Sequence, residues 1–185
     1  MRYNRIVVGY HGCDAEVASR ILDGEPFRES INDYDWLGHG IYFWEYGADR
    51  AYRFAEEQAK RRKIKQPSVI GAMIQLGECF DLLDTRFTEN LGQFYPLWEA
   101  KRTKEGLPVP VNQGKTPDKK LRLLDCMVMN HYLLMVNEAG KPYDTVRGCF
   151  TEGEPVFAGS GIQRESHIQI AVRNPTCIVG VFKPR

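Results

Sequence analysis

Apolar and polar positions alternate with two different periods along this chain, and the switches between them mark its elements. Ile6 to Tyr10 is a short apolar run that reads as a strand. Asp14 follows in the N-cap position, ahead of Val17, Ala18, Ile21 and Leu22 at helical spacing, and Gly24 closes that helix. From Pro26 to Gly40 the sequence is polar and rich in turn formers, so a long loop precedes a second strand at Ile41 to Trp44. Ala48 to Arg62 is predicted helical, with Ala51, Phe54, Ala55 and Gln58 on one face and a basic C-terminal end. Val69 to Leu76, continuing through Gly77 into Cys79 to Leu83, is the expected central strand.

Helical spacing returns over Asn90 to Lys104 and Asp118 to Asn137, the second with a wide apolar face that includes Leu121, Leu124, Met129 and Leu133. The stretch from Gly106 to Pro117, with three prolines and two glycines, is a loop between them. Beyond Pro142 the pattern is β-like at Thr145 to Phe150, Pro155 to Ala158, His167 to Val172 and Cys177 to Phe182. Nothing in the flanks of the Gly106 to Pro117 loop suggests two separate cores, so one domain is expected over residues 1–185 with the loop as an insertion.

Composition narrows the function classes. The chain has 185 residues and 43% hydrophobic content, enough for a sizeable core without disulfides or metal. Twenty-five Lys and Arg against 24 Asp and Glu leave a net charge of +1, which gives no whole-domain argument for nucleic acid or membrane binding. Local basic runs at Lys60 to Lys65 and at Lys115, Lys119, Lys120 and Arg122 are either solvated faces or a patch for nucleic-acid phosphates. No apolar run approaches the ~18 residues of a membrane span, and the N-terminal stretch lacks a cleavable signal pattern. Five dispersed cysteines without a CxxC pair suit reduced thiols, so the expectation is a cytoplasmic protein without membrane contact.

Several nucleotide and metal signatures fail. Gly114-Lys115-Thr116 lacks the P-loop's first glycine, since Val109 stands there, and Gly38-His39-Gly40 leads into a strand where a dinucleotide fingerprint needs a helix. His11, His39, His131 and His167 have no ligand spacing with one another or with cysteine, which removes the case for zinc. Gly159-Ser160-Gly161 falls short of a nucleophile elbow.

An ordered set remains: Tyr10-His11-Gly12, then Gly40-Ile41-Tyr42-Phe43, Tyr52 ten residues on, and Glu165-Ser166-His167-Ile168-Gln169 late in the chain. This order resembles the ADP-ribosyltransferase superfamily, in the branch shared by diphtheria toxin and the poly-ADP-ribose polymerases. Met73 to Glu78 is similar to the strand that follows the tyrosine helix there. The resemblance implies an α+β fold with a split β-sheet core and flanking helices, in which residues 86–140 are a helical elaboration of their own, and NAD as substrate. It further implies cleavage of the nicotinamide–ribose bond, with a single ADP-ribose unit passed to a macromolecular acceptor: protein, RNA or DNA. A toxin or defence effector would suit such an activity.

Carried onto this sequence, the resemblance implies that His11 bonds the adenosine ribose and that backbone at Gly12 approaches the nicotinamide amide. Tyr42 and Tyr52 would sandwich the nicotinamide ring, as offset aromatic stacking allows. A late-strand side chain would touch the nicotinamide ribose, and both Glu165 and Gln169 are candidates, with His167 between them on the same strand face. Gly40 and Phe43 belong to the motif. Ser30 and Asn32 either contact the ligand or cap a turn, and Arg147 either pairs with an NAD phosphate or forms a structural ion pair with Glu152 or Glu154. Two further possibilities share the fold: a non-catalytic module that binds NAD, ADP-ribose or a partner, and an NAD glycohydrolase.

Overall fold

A computed structural model describes residues 2–114 and 119–184 of the chain, so Lys115, Thr116, Pro117 and Asp118 lie outside the described residues. Strand β1 (Arg2–Asp14) runs directly into helix α1 (Ala15–Leu22), and the turn is fixed by Asp14 as expected. Its carboxylate accepts the Glu16 amide of α1 and also the amides of Lys65 and Gln66, which lead into strand β3 (Pro67–Asp81). These bonds to the ionised form hold the Asp14 carboxyl below the usual range. Strand β2 (Ile41–Glu45) and helix α2 (Ala48–Lys60) match their predicted positions within a few residues.

Helix α3 (Thr85–Lys104) begins earlier than its apolar pattern predicts, because Asp84 caps it by accepting the Arg86 amide. Helix α4 (Leu123–Glu138) begins later than predicted. The Asn112 side chain accepts the amides of Leu124 and Asp125, and Gln113 and Leu121 exchange backbone bonds just ahead of the helix. Strands β4 (Thr145–Phe150), β5 (His167–Val172) and β6 (Ile178–Phe182) complete the chain. The strand expected at Pro155 to Ala158 is reduced to one bridge, Pro155 to Gln163, inside a loop that folds back on itself.

The fold is α+β, and its strands close into a ring. β1 pairs antiparallel with β2 and β3, β2 with β5, and β5 with β4, while β4 returns parallel to β3. β6 adds to β3 beside β4, so β3 is central, as its long apolar run predicts. Period-two alternation gives the sheet two apolar faces. One carries Val7, Ile41, Phe43, Ile74, Leu76, Ile170 and Val172, all nearly sealed from solvent. The other carries Phe80, Val146 and Ala171 and is covered by α3 and α4 through Phe87, Met129, Tyr132 and Leu133. Each such side chain contributes roughly 1.5–3 kcal/mol when fully buried. Among the described residues no helix is long and apolar enough to cross a membrane.

Candidate functional site

Neighbouring strands β1, β2 and β5 bring together segments that are far apart in sequence. Gly9 and Tyr10 lie opposite Glu45 and Trp44, while Phe43 and Trp44 lie opposite Ile170 and Gln169. His11 is packed edge-on against Phe27 and tilted against Phe43, with ring centroids 5.5 and 5.7 Å away. Its Nδ1 donates to the Tyr42 carbonyl oxygen at 2.8 Å, and burial pushes its pKa below the ordinary histidine value. His11 and Tyr42 therefore meet, through the Tyr42 backbone.

The Tyr42 side chain turns to the opposite sheet face. Its hydroxyl accepts the Leu37 amide at 3.0 Å and donates to the Gly38 carbonyl at 2.8 Å, and burial raises its pKa. Tyr52 projects from α2 and is 45% exposed. The expected sandwich of two phenols thus needs correction: Tyr42 is locked into the packing beneath α4, and Tyr52 alone presents a ring to solvent. Phe43 is fully buried in the inner core, which removes it from ligand contact. Gly12 is needed for a different close approach from the one expected, since a methyl there would overlap the Ala51 carbonyl of α2. Gly40 is likewise pressed against Val172 and pairs with Ser30 across a bridge.

Ser30 and Asn32 resolve toward turn capping. Asn32 donates to the Ser30 hydroxyl at 2.8 Å, and its amide donates to Asp35 at 2.8 Å. Arg147 is a structural group, with partners other than the expected Glu152 or Glu154. It is 5% exposed; its Nε and Nη2 donate to Glu45 at 2.6 and 3.1 Å, and its Nη1 to Asp81 at 3.0 Å. Each of its three guanidinium nitrogens donates to a carboxylate, and the group is sealed between Glu45 and Asp81, which assigns it to structure and not to a phosphate of NAD.

Gln169 and Glu165 differ sharply in availability. The Gln169 carbonyl oxygen accepts the Trp36 indole N–H at 2.6 Å, whereas the Glu165 side chain is 36% exposed and paired loosely with Arg53 at 3.7 Å. Glu165 is delivered by the folded-back loop 151–166, in which its amide donates to the Glu152 carbonyl and the Arg164 amide to that of Glu154. Beside it opens a cavity of ≈ 370 Å³ lined by Asp49, Arg50 and Arg53 of α2, and by Arg164, Glu165 and His167. His167 Nδ1 donates to the Glu165 carbonyl at 2.7 Å, its ring stacks on Phe150, and burial lowers its pKa. Glu152, only 3% exposed, accepts Arg50 at 2.8 Å and also pairs with Lys120; with two cations attached its carboxyl lies below the usual range despite burial.

The sequence pointed to Glu165 and His167 but not to Trp44, Arg50, Arg53 or Glu152, which complete this site. Arg50 and Arg53 flank Tyr52 at i, i+3 spacing, a helical signal that could have placed both on the cleft side of α2. Glu152 left no signal, since only the folded-back loop buries it. The basic run Lys60 to Lys65 lies exposed beyond the end of α2, and no group of residues that could hold a metal ion occurs among the described residues. A second cavity of ≈ 360 Å³, bounded by His39, Leu123, Met127 and Asn130, is separate from these residues.

Compared with known proteins, the chain is 29% identical over 158 residues to an uncharacterized protein of Methanocaldococcus jannaschii, covering 81% of this chain and 67% of that relative. No family model and no solved structure matches.

Proposed function

We propose that the protein is an NAD-dependent ADP-ribosyltransferase with a split β-sheet core, which cleaves the nicotinamide–ribose bond and passes ADP-ribose to a macromolecular acceptor. One observation carries this: the His-Gly, Gly-x-Tyr, tyrosine-helix and Glu-Ser-His segments, dispersed over more than 150 residues, meet on β1, β2, α2 and the approach to β5.

Glu165 is the carboxylate best placed to accept a hydrogen bond from the nicotinamide-ribose hydroxyl and to offset positive charge as the glycosidic bond lengthens. The electron pair of that bond leaves with nicotinamide. Tyr52 offers an exposed ring on α2, the helix whose Asp49, Arg50 and Arg53 line the cavity, but its own side chain stands outside that lining. His11, held by the Tyr42 carbonyl, has a fixed ring orientation for a sugar hydroxyl. The Gln169 carbonyl oxygen, engaged by Trp36, is assigned to holding β5 against the loop at Trp36.

The test is nicotinamide release from NAD by the purified chain, with Glu165→Gln and Gln169→Ala beside it. Release that falls at least a hundredfold in Glu165→Gln and far less in Gln169→Ala supports the assignment. A folded protein that binds NAD and releases none is a binding module, and equal turnover in both variants removes Glu165 from the chemistry.

A further inference from the structure

The loop between β4 and β5 folds back as a hairpin whose two ends meet at Glu152 and Glu165. The Glu165 amide donates to the Glu152 carbonyl at 3.0 Å, the Arg164 amide to that of Glu154 and the Val156 amide to that of Ile162, both also at 3.0 Å. Glu165 lies directly on Gly153, where an added Cβ would come within 3.1 Å of its Cγ and 3.3 Å of its amide nitrogen. Gly153 also takes a φ of +86°, which favours glycine. The place of the Glu165 carboxylate is therefore set by the backbone at Glu152 and Gly153.

The Glu152 side chain anchors that backbone from two sides. Its carboxylate, 3% exposed, accepts Arg50 of α2 at 2.8 Å and pairs with Lys120 at 2.5 Å. Lys120 belongs to the helical elaboration 86–140, just ahead of α4, and Arg122 beside it stands over the ring of Phe150, 4.7 Å from its centre, where β4 ends. A buried carboxylate left with one cation fewer is strongly penalised, so both partners hold the hairpin base in place. Glu165 has only a loose tie of its own, to Arg53 one turn along α2 at 3.7 Å, with side chains 36% and 54% exposed. Such an exposed pair contributes little, so the fixing of Glu165 comes chiefly from Glu152.

We propose that Glu152 is a positioning residue for Glu165, and that the helical elaboration closes this latch from outside through Lys120. The inference rests on the transferase reading above, in which Glu165 serves the nicotinamide ribose. Glu152 itself stands outside the cavity lining and touches no reacting atom. It keeps the hairpin base against α2, so that the Glu165 carboxylate stays in the cavity wall between Arg53 and Arg164. A displacement of about 1 Å at a reacting group costs on the order of a hundredfold in rate. The two ties differ in access. The Arg50 side chain is 14% exposed and that of Lys120 54%, so the latch opens from the side of the elaboration, and Glu165 falls out of place when it does.

The experiment measures nicotinamide release from NAD by the full chain and by its Glu152→Gln, Lys120→Glu and Lys120→Arg variants, each also made in a Glu165→Gln background, with hydrogen exchange at the amides of residues 151–166. Expected in Glu152→Gln and Lys120→Glu is a kcat lower by about ten- to a hundredfold, with KM for NAD within about threefold and faster exchange across the hairpin. Lys120→Arg should keep most of the rate that Lys120→Glu loses. In the Glu165→Gln background the same changes should cost less than about twofold, because their effect passes through a carboxylate already removed. Full additivity in that background overturns the positioning role, as does an unchanged kcat in variants that melt like the parent. Should Glu152→Gln fail to fold, Lys120→Glu, at a half-exposed side chain, decides alone. A parent that releases no nicotinamide defeats the transferase reading and with it the role at Glu165, while hairpin exchange in Lys120→Glu still decides whether the latch exists.

Discussion

Arg147 separates a structural from a ligand-binding explanation of a buried cation. Its guanidinium is sealed with two carboxylates, bidentate to Glu45 at 2.6 and 3.1 Å and at 3.0 Å from Asp81. Arg5 adds one contact to Glu45 at 3.3 Å, but its side chain is 54% exposed and contributes little. Substituting Arg147→Met preserves the aliphatic bulk and strands two carboxylates inside the protein. Removing one partner of a buried pair costs about 3–5 kcal/mol, which for a chain of this size lowers the melting temperature by roughly 6–20 °C. Arg147→Lys should recover only part of this, because an ammonium cannot reproduce the bidentate fork. The triple variant Arg147→Met, Glu45→Gln, Asp81→Asn should recover more, since no charge remains to be stranded. Thermal melts by circular dichroism measure all three. An Arg147→Met protein that melts within about 2 °C of the parent while its NAD affinity drops tenfold would refute the structural reading and return Arg147 to the ligand.

Gly12→Ala should cost about 1–3 kcal/mol by urea titration with an unchanged denaturant slope, because the added methyl meets the fixed Ala51 carbonyl of α2; equal midpoints would show that α2 shifts freely. Tyr42→Phe should lose about 1–3 kcal/mol by leaving the Leu37 amide unpartnered, while Tyr52→Ala, on an exposed face, should change stability by about 0.5 kcal/mol or less and act on NAD turnover instead. Burial holds both His11 and His167 below the ordinary histidine range, so the unfolded chain takes up protons that the native state refuses. Stability should be intact above about pH 6.5 and decline as pH falls through the lowered native values, and a His11→Asn, His167→Asn variant should show a flatter urea midpoint across that window. Brief alkylation near pH 8 read by mass spectrometry should mark the exposed Cys149 ahead of Cys13 and Cys126, raised by burial to about 11, and Cys79, raised to about 12.

Local signals carried most of the fold. Asp14 before a helical pattern, the apolar run at Ile41 and the alternation at Thr145 each predicted an element whose place along the chain is marked by its own residues. Where a distant side chain decides, the pattern misled: Asn112 sets the start of α4 from outside the helix. The site was half legible for the same reason. Glu165 and His167 stand on one alternating segment and could be read together. Tyr42 could not be placed, because a strand residue's face depends on which side the helices cover, and α4 covers the face on which its hydroxyl meets Leu37 and Gly38. Arg147 gave two readings in sequence because its carboxylates come from β2 and β3, which only the ring closure brings beside β4.

Glu45 links the two halves of this argument, since it is both the main anchor of Arg147 and part of the cavity lining. Its position follows from strand period: Ile41, Phe43 and Glu45 share the inner face of β2, so the apolar row ends in a carboxylate where the strand turns toward α2. Two carboxylates and one guanidinium at that end hold β2, β3 and β4 in register from inside, while Glu152 holds Arg50 and Lys120 from the loop side. Trp44, adjacent to Glu45 on the opposite face of β2 and 5% exposed, packs between Phe54 of α2 and the His167 ring, so both ionic clusters bear on the strand end that carries it. Loosening the inner cluster should therefore loosen the cavity wall at Glu45: an Arg147→Met protein that stays folded at low temperature should release nicotinamide from NAD more slowly than the parent. Unchanged release at that temperature would mean that the cavity stands independently of the inner cluster.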